Sequence, residues 1–314
     1  MDKPQPKGKD LLIKVKAVAV NPVDYKVRSS IKKIDTPKIL GWDAAGIVEA
    51  VGEETSLFRV GDEVYYAGSI TRPGCNSEYH LVDERIVGRK PNNLSFEEAA
   101  ALPLTTIAAW ESIFERLAIE PNKQNSQSTV LIINGAGGVG SIAIQLAKQV
   151  AGLQVIATAS RGDTVRWCRK LGADHCLNHY DEFLPALNKL GFESVDYILC
   201  FNSTDRHWQN MVDVIKPQGK ICSIVGNREP LDLNLLKSKS VTFAWEFMFT
   251  KSQYQTPDIA SQGELLNRVS QLVERGIIKT TLKENLGVLN PANLAIAHSK
   301  LESGKTIGKL VLTL

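Results

Sequence analysis

Short apolar runs alternate with turn residues along the N-terminal third of the chain. The turn residues include Gly52, Gly61-Asp62 and Arg72-Pro73-Gly74. The apolar runs that they separate are Leu11 to Val20, Ala45 to Val51, Glu63 to Ala67 and Glu78 to Val82. Short strands divided by glycine and proline are typical of a β-rich, barrel-like domain, which we therefore predict here.

Beyond Pro103 the apolar spacing becomes helical, and strands then alternate with helices. The predicted strands are Thr129 to Ile133, Gln154 to Ala159, His175 to Leu177, Tyr197 to Phe201, Ile221 to Val225 and Ser240 to Trp245. This alternation predicts an α/β fold with a doubly wound parallel sheet. Helices near Gly263 to Arg275 and Ala292 to Glu302 and a strand at Lys309 to Leu314 then suggest a return to the first domain.

A glycine-rich turn follows the first strand of this alternating region. Gly135, Gly137 and Gly140 have the spacing Gly-x-Gly-x-x-Gly, and they stand between the apolar run from Val130 and a predicted helix, Ser141 to Val150. The first glycine permits the tight turn, the second lets a pyrophosphate approach bare backbone, and the third permits close packing of helix on strand. The N–H groups at the helix start, around Gly138 and Val139, would face the phosphates. The sequence therefore predicts a nicotinamide dinucleotide site.

The residues after the second strand of this region bear on the choice of cofactor. An NAD enzyme usually places Asp or Glu there, about twenty residues beyond the glycines, on the adenosine ribose. This chain has Ser160 and Arg161, which can hydrogen-bond a 2′-phosphate that a carboxylate would repel. We therefore predict NADPH. The alternative is a solvated Arg161 that pairs with the neighbouring Asp163.

Composition agrees with an enzyme of two cores. The chain has 314 residues, is 43% hydrophobic, and carries 37 basic against 34 acidic residues in a mixed distribution. Such a distribution argues against a nucleic-acid or membrane partner, and no apolar run is long enough for a bilayer or a signal core. We expect a cytoplasmic protein. The five cysteines, Cys75, Cys168, Cys176, Cys200 and Cys222, have no tight pairing pattern, so we expect buried or half-buried free thiols.

The chain resembles a medium-chain dehydrogenase/reductase of the quinone oxidoreductase branch, among the zinc-type alcohol dehydrogenase-like proteins. The resemblance is carried by Val20 to Lys26, Gly41 to Gly52, Val60 to Val64, Ala99 to Thr106, the glycine turn, Leu171 to Asp174 and Gly304 to Lys309. It implies a GroES-like catalytic domain, residues 1–105 and 253–314, around a Rossmann NADPH-binding domain, residues 106–252. It also implies a homodimer formed through the Rossmann sheet.

The chain departs from the zinc alcohol dehydrogenases of this superfamily at the metal ligands. Asn21 and Trp42 stand where those enzymes place a catalytic Cys and His, and the four cysteines of their structural zinc lobe are missing. A catalytic zinc needs about three protein ligands. Of the local His/Cys group, His175 and Cys176 are neighbours on a predicted strand and point to opposite faces, which disfavours a metal site with His179. Asp43 could hold a cation but shows no partner in the sequence. We therefore predict that no metal is bound.

Hydride transfer without a metal favours an acceptor that is already electrophilic, such as a quinone or an α,β-unsaturated carbonyl. The resemblance places Asn21, Tyr25 and Lys26 near the nicotinamide. Lys26 would bind the nicotinamide ribose or the enolate oxygen, and Tyr25 would stack on the substrate or donate to it. Alternatively, Tyr25 packs against the barrel, and Asp24 pairs with Lys26 or caps a turn. The segment from Trp245 to Phe249 could line the substrate, although aromatic residues are more often core.

Further cofactor contacts follow from the resemblance and from the strand ends. Thr106 is expected at the carboxamide, and His179 near the adenosine phosphate, unless His179 is an uninvolved surface residue. Phe201, Asn202, Val225 and Gly226 end two predicted strands, where ligands of open α/β sheets bind. Lys309 is expected to close the site from the C-terminal tail.

The sequence thus favours a zinc-independent NADPH-dependent reductase of quinones or enones. A zinc alcohol dehydrogenase and a non-catalytic NADPH-binding sensor or structural protein are the alternatives.

Overall fold

The computed structural model describes residues 2–31, 37–121 and 125–314. The chain divides into two compact units, one of residues 1–107 and 248–314 and the other of residues 108–247. These boundaries fall after Ile107 and Phe247, whereas the sequence placed them after residues 105 and 252. Among the described residues, none of the helices combines the length and the apolar character that a bilayer crossing needs.

The first unit contains a mainly antiparallel sheet. Its described strands are β1 (Asp10–Val20), β2 (Ala44–Val51), β3 (Glu63–Tyr66), β4 (Tyr79–Asp83), β5 (Val87–Arg89), β12 (Leu282–Val288) and β13 (Lys309–Thr313). The order is β12-β13-β1-β2-β3-β5, and the first half of β1 also pairs with β4. The C-terminal strand β13 is antiparallel to β1, with Val20 opposite Leu310. The expected return of the tail to the first domain is therefore confirmed.

The helices of this unit are α1 (Pro22–Ser30), α2 (Phe96–Ala100), α3 (Pro103–Trp110), α8 (Thr250–Tyr254), α9 (Ser261–Glu274) and α10 (Pro291–Glu302). Helix α3 runs across the boundary into the second unit and continues as a π-helical turn, Glu111–Arg116. Alternate residues of β1 point into an apolar core with those of β2, β3 and β13. This core includes Leu11, Ile13, Val48 and Leu310.

The second unit is a six-stranded parallel sheet covered by helices. The strands are β6 (Thr129–Ile133), β7 (Gln154–Thr158), β8 (His175–Leu177), β9 (Val195–Cys200), β10 (Ile215–Ser223) and β11 (Thr242–Trp245). The helices are α4 (Gly138–Gln145), α5 (Gly162–Leu171), α6 (Phe183–Asn188) and α7 (Trp208–Val214). All five strand pairings are parallel.

The strand order in this sheet is β11-β10-β9-β6-β7-β8. This is the strand order of a dinucleotide-binding fold. Successive strands are added to one side of β6 up to β8 and then to its other side from β9, so the order reverses between β6 and β9. The predicted α/β class with a doubly wound parallel sheet is confirmed. Ligands of such sheets bind at the carboxyl ends of the strands next to the reversal, where β6 leads into the glycine turn and β9 into Phe201.

Candidate active site

The glycine turn joins β6 to α4, and each of its three glycines meets a different neighbour. A Cβ on Gly140 would lie 2.2 Å from the carbonyl oxygen of Asn134, and one on Gly135 would lie 2.7 Å from the Cβ of Ala157. A Cβ on Gly137 would meet only the Asn134 amide, at 2.6 Å. Gly135 and Gly140 are thus required by the packing of the turn itself. Gly137, the N-cap of α4, faces only a movable side chain, as expected where a ligand approaches the backbone.

Side chains of neighbouring elements hold this turn in place. The Thr158 hydroxyl at the end of β7 accepts from the Asn134 N–H at 2.9 Å, and Asn134 itself has a positive φ of 67°. The Ser141 hydroxyl donates to the Gly137 carbonyl at 2.7 Å and accepts from the Trp167 indole at 2.8 Å. The first N–H groups of α4, those of Gly138, Val139 and Gly140, lie in the first helical turn, where N–H groups lack intrahelical acceptors. The cradle therefore fits a pyrophosphate.

Arg161 stands at the start of α5, directly after Ser160, and its Nε donates to Asp163 at 3.3 Å. This is the pairing that the sequence left open as an alternative. Both side chains remain substantially exposed, 41% for Arg161 and 52% for Asp163. An exposed pair of this kind contributes little to stability, so exchanging Asp163 for a phosphate would cost little.

The structure brings two further side chains to this edge that the sequence analysis did not identify, Arg206 and Tyr180. The Arg206 guanidinium lies 5.2 Å from the centre of the Tyr180 ring, and the Tyr180 ring lies 4.5 Å from that of His179. Burial lowers the pKa of His179, and the positive charges of Arg206 and Arg161 lower it further. The loops after β7 and β9 thus bring two guanidinium groups, those of Arg161 and Arg206, near His179. Arg206 lies far from the glycine motif in sequence, and only the sheet order brings it here.

The remaining strand ends have distinct surroundings. Phe201 is buried and its N–H donates to the Ile133 carbonyl at 3.3 Å, so the chain after β9 is fixed beside the glycine turn. Asn202 is exposed. The Val225 carbonyl accepts from the Thr204 hydroxyl at 2.5 Å, and a Cβ on Gly226 would meet no atom within 4 Å. The packing of the described residues therefore does not require glycine at position 226.

Thr106 lies in α3 with its side chain completely buried. Its hydroxyl has no hydrogen-bond partner among the described residues. An unsatisfied buried hydroxyl costs about 1–3 kcal/mol, so such groups call for an explanation. A carboxamide that bonds this hydroxyl would supply one, and the expectation that Thr106 contacts the nicotinamide stays a prediction with this support.

A buried polar network surrounds Asn21, which stands where zinc alcohol dehydrogenases have a metal ligand. The Asn21 amide donates to Asp43 at 3.1 Å, and Lys309 donates to Asn21 Oδ1. Lys309 Nζ also lies 3.1 Å from the Val20 carbonyl and 3.1 Å from Asp43 Oδ2. The Leu104 N–H donates to the other Asp43 oxygen at 3.1 Å. These side chains are at most 3% exposed, so Lys309 neutralises an otherwise isolated carboxylate.

The sequence led us to expect Lys309 to close the ligand site, but its side chain is buried in this network. Its ammonium is committed to Asn21, Val20 and Asp43 in the interior of the first unit, and Asp43 has the partner that the sequence did not show. The Asn21 amide is likewise committed at both ends. Contact of either residue with a ligand remains a prediction. In this structure both residues hold the network together.

Trp42 fills the second former ligand position with a packed indole. It is completely buried, its Nε1 donates to the Ser69 carbonyl at 3.0 Å, and its ring meets Phe249 edge-on at 6.3 Å. Indole nitrogen is a donor only, so it offers no lone pair to a metal. Among the described residues, no group of three or more His, Cys, Asp and Glu side chains is arranged to hold a metal ion.

Helix α1 carries the predicted substrate residues. Its N-cap is Asn21, whose N–H donates to the Asp24 carboxylate at 2.6 Å. Asp24 therefore caps the turn, which was one of the two roles considered for it from the sequence. Burial raises the pKa of Asp24 to about 7, and one of its oxygens has no partner among the described residues. Lys26 is exposed and Tyr25 half-buried. Burial raises the pKa of the Tyr25 hydroxyl, which keeps it a hydrogen-bond donor at neutral pH.

The segment from Trp245 to Phe249, which we considered as a substrate wall, is exposed in its first part and buried in its last part. Trp245 and Phe247 are 46% and 45% exposed, whereas Met248 and Phe249 are buried. The first two lie in the second unit and the other two in the first.

Family models match most of the chain. Residues 7–103 match the alcohol dehydrogenase GroES-like domain, and residues 138–261 match the zinc-binding dehydrogenase model. A zinc-type alcohol dehydrogenase-like protein of Staphylococcus aureus is 46% identical over 313 residues, which cover 99% of this chain and 93% of the relative. A 2-methylene-furan-3-one reductase of Solanum lycopersicum is 31% identical over 98% of this chain and 73% of the relative.

Solved structures agree with these relatives. A protein of Rhizobium etli, provisionally named a zinc-dependent alcohol dehydrogenase, has a TM-score of 0.95 and 50% identity, covering 100% of this chain and 92% of that one. The quinone oxidoreductase of Escherichia coli in complex with NADPH has a TM-score of 0.84 and 26% identity, covering 100% and 94%. The chain therefore belongs to the medium-chain dehydrogenase/reductase superfamily of oxidoreductases, in its quinone oxidoreductase branch, with a GroES-like domain and a Rossmann domain.

Proposed function

We propose that this protein is a zinc-independent, NADPH-dependent reductase of quinones or α,β-unsaturated carbonyls. The observation that carries the proposal is the buried network of Asn21, Asp43 and Lys309 beside the packed Trp42 indole. At positions 21 and 42 the zinc enzymes of the superfamily use ligands with free lone pairs. Here the buried Asp43 carboxylate, next to Trp42 in the chain, is already neutralised by the Lys309 ammonium group.

The choice of acceptor follows from what these residues can supply. A saturated ketone normally needs a metal or a proton relay to stabilise the alkoxide as it forms. A quinone or enone is already electrophilic and needs hydrogen-bond donors at one oxygen. The relatives named for a furanone reductase and a quinone oxidoreductase support this substrate class.

When bound, NADPH supplies the hydride from its nicotinamide C4. The glycine cradle and the first N–H groups of α4 hold the pyrophosphate, and Thr106 accepts or donates at the carboxamide. Ser160, Arg161 and Arg206 bind the 2′-phosphate, with His179 beside them. Tyr25 and Lys26 donate to the substrate oxygen, where negative charge develops.

Substitutions in α1 test the catalytic part of this proposal. Lys26→Ala and Tyr25→Phe remove one donor each and should lower kcat/KM for quinones or enones about 10- to 100-fold, with NADPH affinity unchanged. Ser29→Ala, on the exposed part of the same helix, is the matched control. Unchanged turnover in both donor variants would exclude them from the site. NADPH binding by the parent protein without oxidation by any acceptor would favour a non-catalytic sensor.

A further inference from the structure

Two of the five cysteines lie near each other in the second unit. Cys168 lies in α5 and Cys176 in β8, the strand that follows α5 in the sequence. Both adjoin Ala157: Cys176 is its register partner on the neighbouring strand, and the Cys168 sulfur lies beside Gly135, against which the Ala157 side chain packs. Cys168 is completely buried, Cys176 is half-buried, and both are free thiols. Solvent therefore reaches Cys176 but not Cys168.

The two thiols differ in acidity. The interaction with Cys168 and the nearby Arg169 guanidinium together lower the pKa of Cys176 to about 7, against the effect of burial. The same interaction, together with burial, raises the pKa of Cys168 well above its usual range. A substantial fraction of Cys176 is therefore thiolate at neutral pH, and the thiolate is the nucleophilic form of cysteine.

We propose that Cys176 and Cys168 form a redox-active dithiol, which a hydroperoxide converts to an intramolecular disulfide. The Cys176 thiolate attacks the terminal peroxide oxygen, the O–O bond breaks, and the departing alkoxide or hydroxide takes a proton from solvent. Cys176 is then a sulfenic acid. The Cys168 thiol loses its proton and attacks the Cys176 sulfur, so that the S–S bond forms and the S–O bond breaks. The hydroxide leaves with that proton as water, and two electrons have passed from the thiols to the peroxide.

The dithiol also flanks the first glycine of the cofactor turn. A Cβ on Gly135 would lie 3.2 Å from Cys168 Sγ and 2.7 Å from the Cβ of Ala157, and Ala157 is the partner of Cys176 in the β7–β8 register. The sulfurs of two free thiols are farther apart than the roughly 2 Å of a disulfide. Closing the bond must therefore move Cys168 relative to Gly135 or draw β8 towards α5. We expect oxidation to weaken NADPH binding about tenfold, a consequence that rests on the proposed function.

Mass spectrometry of the full chain tests the disulfide itself. The reduced protein is treated with hydrogen peroxide, its remaining thiols are alkylated, and trypsin cuts at Arg169 and Lys170, between the two cysteines. A cross-linked peptide pair joining Cys168 to Cys176 is the expected product, reversible by dithiothreitol. Cys222→Ala, a buried thiol elsewhere, should give the same product, whereas Cys176→Ser should give none. Cys168→Ala should leave Cys176 to proceed to sulfinic acid.

Free, alkylated Cys168 after full oxidation of the parent protein would overturn the proposal, and so would cross-links to other cysteines. A parallel titration of reduced and oxidised protein with NADPH separates this inference from the proposed function. The disulfide in a protein that binds no NADPH supports the dithiol and contradicts the proposed function. NADPH binding in a protein that forms no disulfide supports the proposed function and contradicts the dithiol.

Discussion

At Gly140 the requirement for glycine is imposed by the backbone of the protein itself. A Cβ there would lie 2.2 Å from the Asn134 carbonyl oxygen, so Gly140→Ala must displace the start of α4. We expect a loss of about 1–3 kcal/mol of stability and loss of measurable NADPH binding, checked by thermal unfolding and titration calorimetry. Gly162→Ala is the matched control, because its Cβ would meet only the flexible end of Arg166 at 3.4 Å. An undiminished melting temperature for Gly140→Ala would contradict the assigned geometry.

Lys309 and Asp43 form a buried ion pair whose members depend on each other. Lys309→Met should cost about 3–5 kcal/mol, because it leaves Asp43 buried and uncompensated. The double variant Asp43→Asn/Lys309→Met should recover part of that loss, which denaturant unfolding of the two single variants and the double variant would measure. Strict additivity of the single effects would show that the two residues do not interact.

Residues at this scale were predictable where their chemistry is local in sequence. The three glycines and Arg161 lie within one β–α–β unit, from β6 to the start of α5, so their spacing in the sequence was enough to predict them as cofactor residues. Asp43 and Lys309 meet only because β13 returns to β1, and no periodicity in the sequence reports that pairing. Arg206 reaches His179 for the same kind of reason.

Cofactor selectivity provides a residue-level test of the NADPH assignment. Arg161→Ala removes a charge-assisted hydrogen bond to the 2′-phosphate, which should raise the Kd of NADPH about 10- to 100-fold and that of NADH less than about threefold. Fluorescence titration with both cofactors measures the two constants. Arg166→Ala, an exposed arginine on the same helix, is the control. Equal losses for both cofactors would remove Arg161 from the phosphate site.

Two elements meet at a carboxyl pair in the second unit. Glu246, directly after β11, lies against Glu111 of the π-helical turn after α3, and the Arg116 Nε donates to Glu246 at 2.7 Å. Burial, together with the hydrogen bond and charge of Glu111, raises the pKa of Glu246 to about 9 against the effect of Arg116. The folded protein therefore holds a proton here that the unfolded chain, with a pKa of 4.5, has lost.

This proton makes the stability of the fold depend on pH. Between pH 4.5 and about 9 the folded state binds more protons at this site, so its stability should fall as pH rises, by up to about 1.4 kcal/mol per unit. Glu246→Gln, which mimics the neutral acid, should flatten that decline, as measured by melting temperatures from pH 5.5 to roughly 9. Glu115→Gln, exposed on the same turn, should leave it unchanged. A Glu246→Gln profile parallel to the parent would contradict the shared proton.

Elements with strong apolar patterns were predictable, and weakly patterned ones were not. The predicted strands of the parallel sheet correspond to β6–β11, and the buried runs of β6, β7 and β9 are nearly continuous. Strand β10, however, begins at Ile215, six residues before the predicted start, in a polar stretch that contains Pro217 and Gly219. Strands β5 and β12 were not predicted. The first has three residues, and the second is mostly polar and held by its parallel pairing with β13.

At the scale of the whole molecule, the sequence specified a superfamily but left its chemistry open. The motifs that define the fold are shared by zinc-dependent and zinc-independent members, so the decision rests on the side chains at positions 21 and 42. Those residues could be read from the sequence. The ammonium that completes their network could not, because Lys309 comes from the last strand of the chain.

Turnover by metal-stripped protein tests the central claim most directly. The protein is dialysed against a chelator, its residual zinc is measured, and oxidation of NADPH is followed with quinones, enones and simple ketones as acceptors. We predict turnover of quinones or enones at full rate without zinc, little turnover of saturated ketones, and slower rates with NADH. Activity that appears only on addition of zinc would contradict the account of Asn21, Trp42 and Lys309.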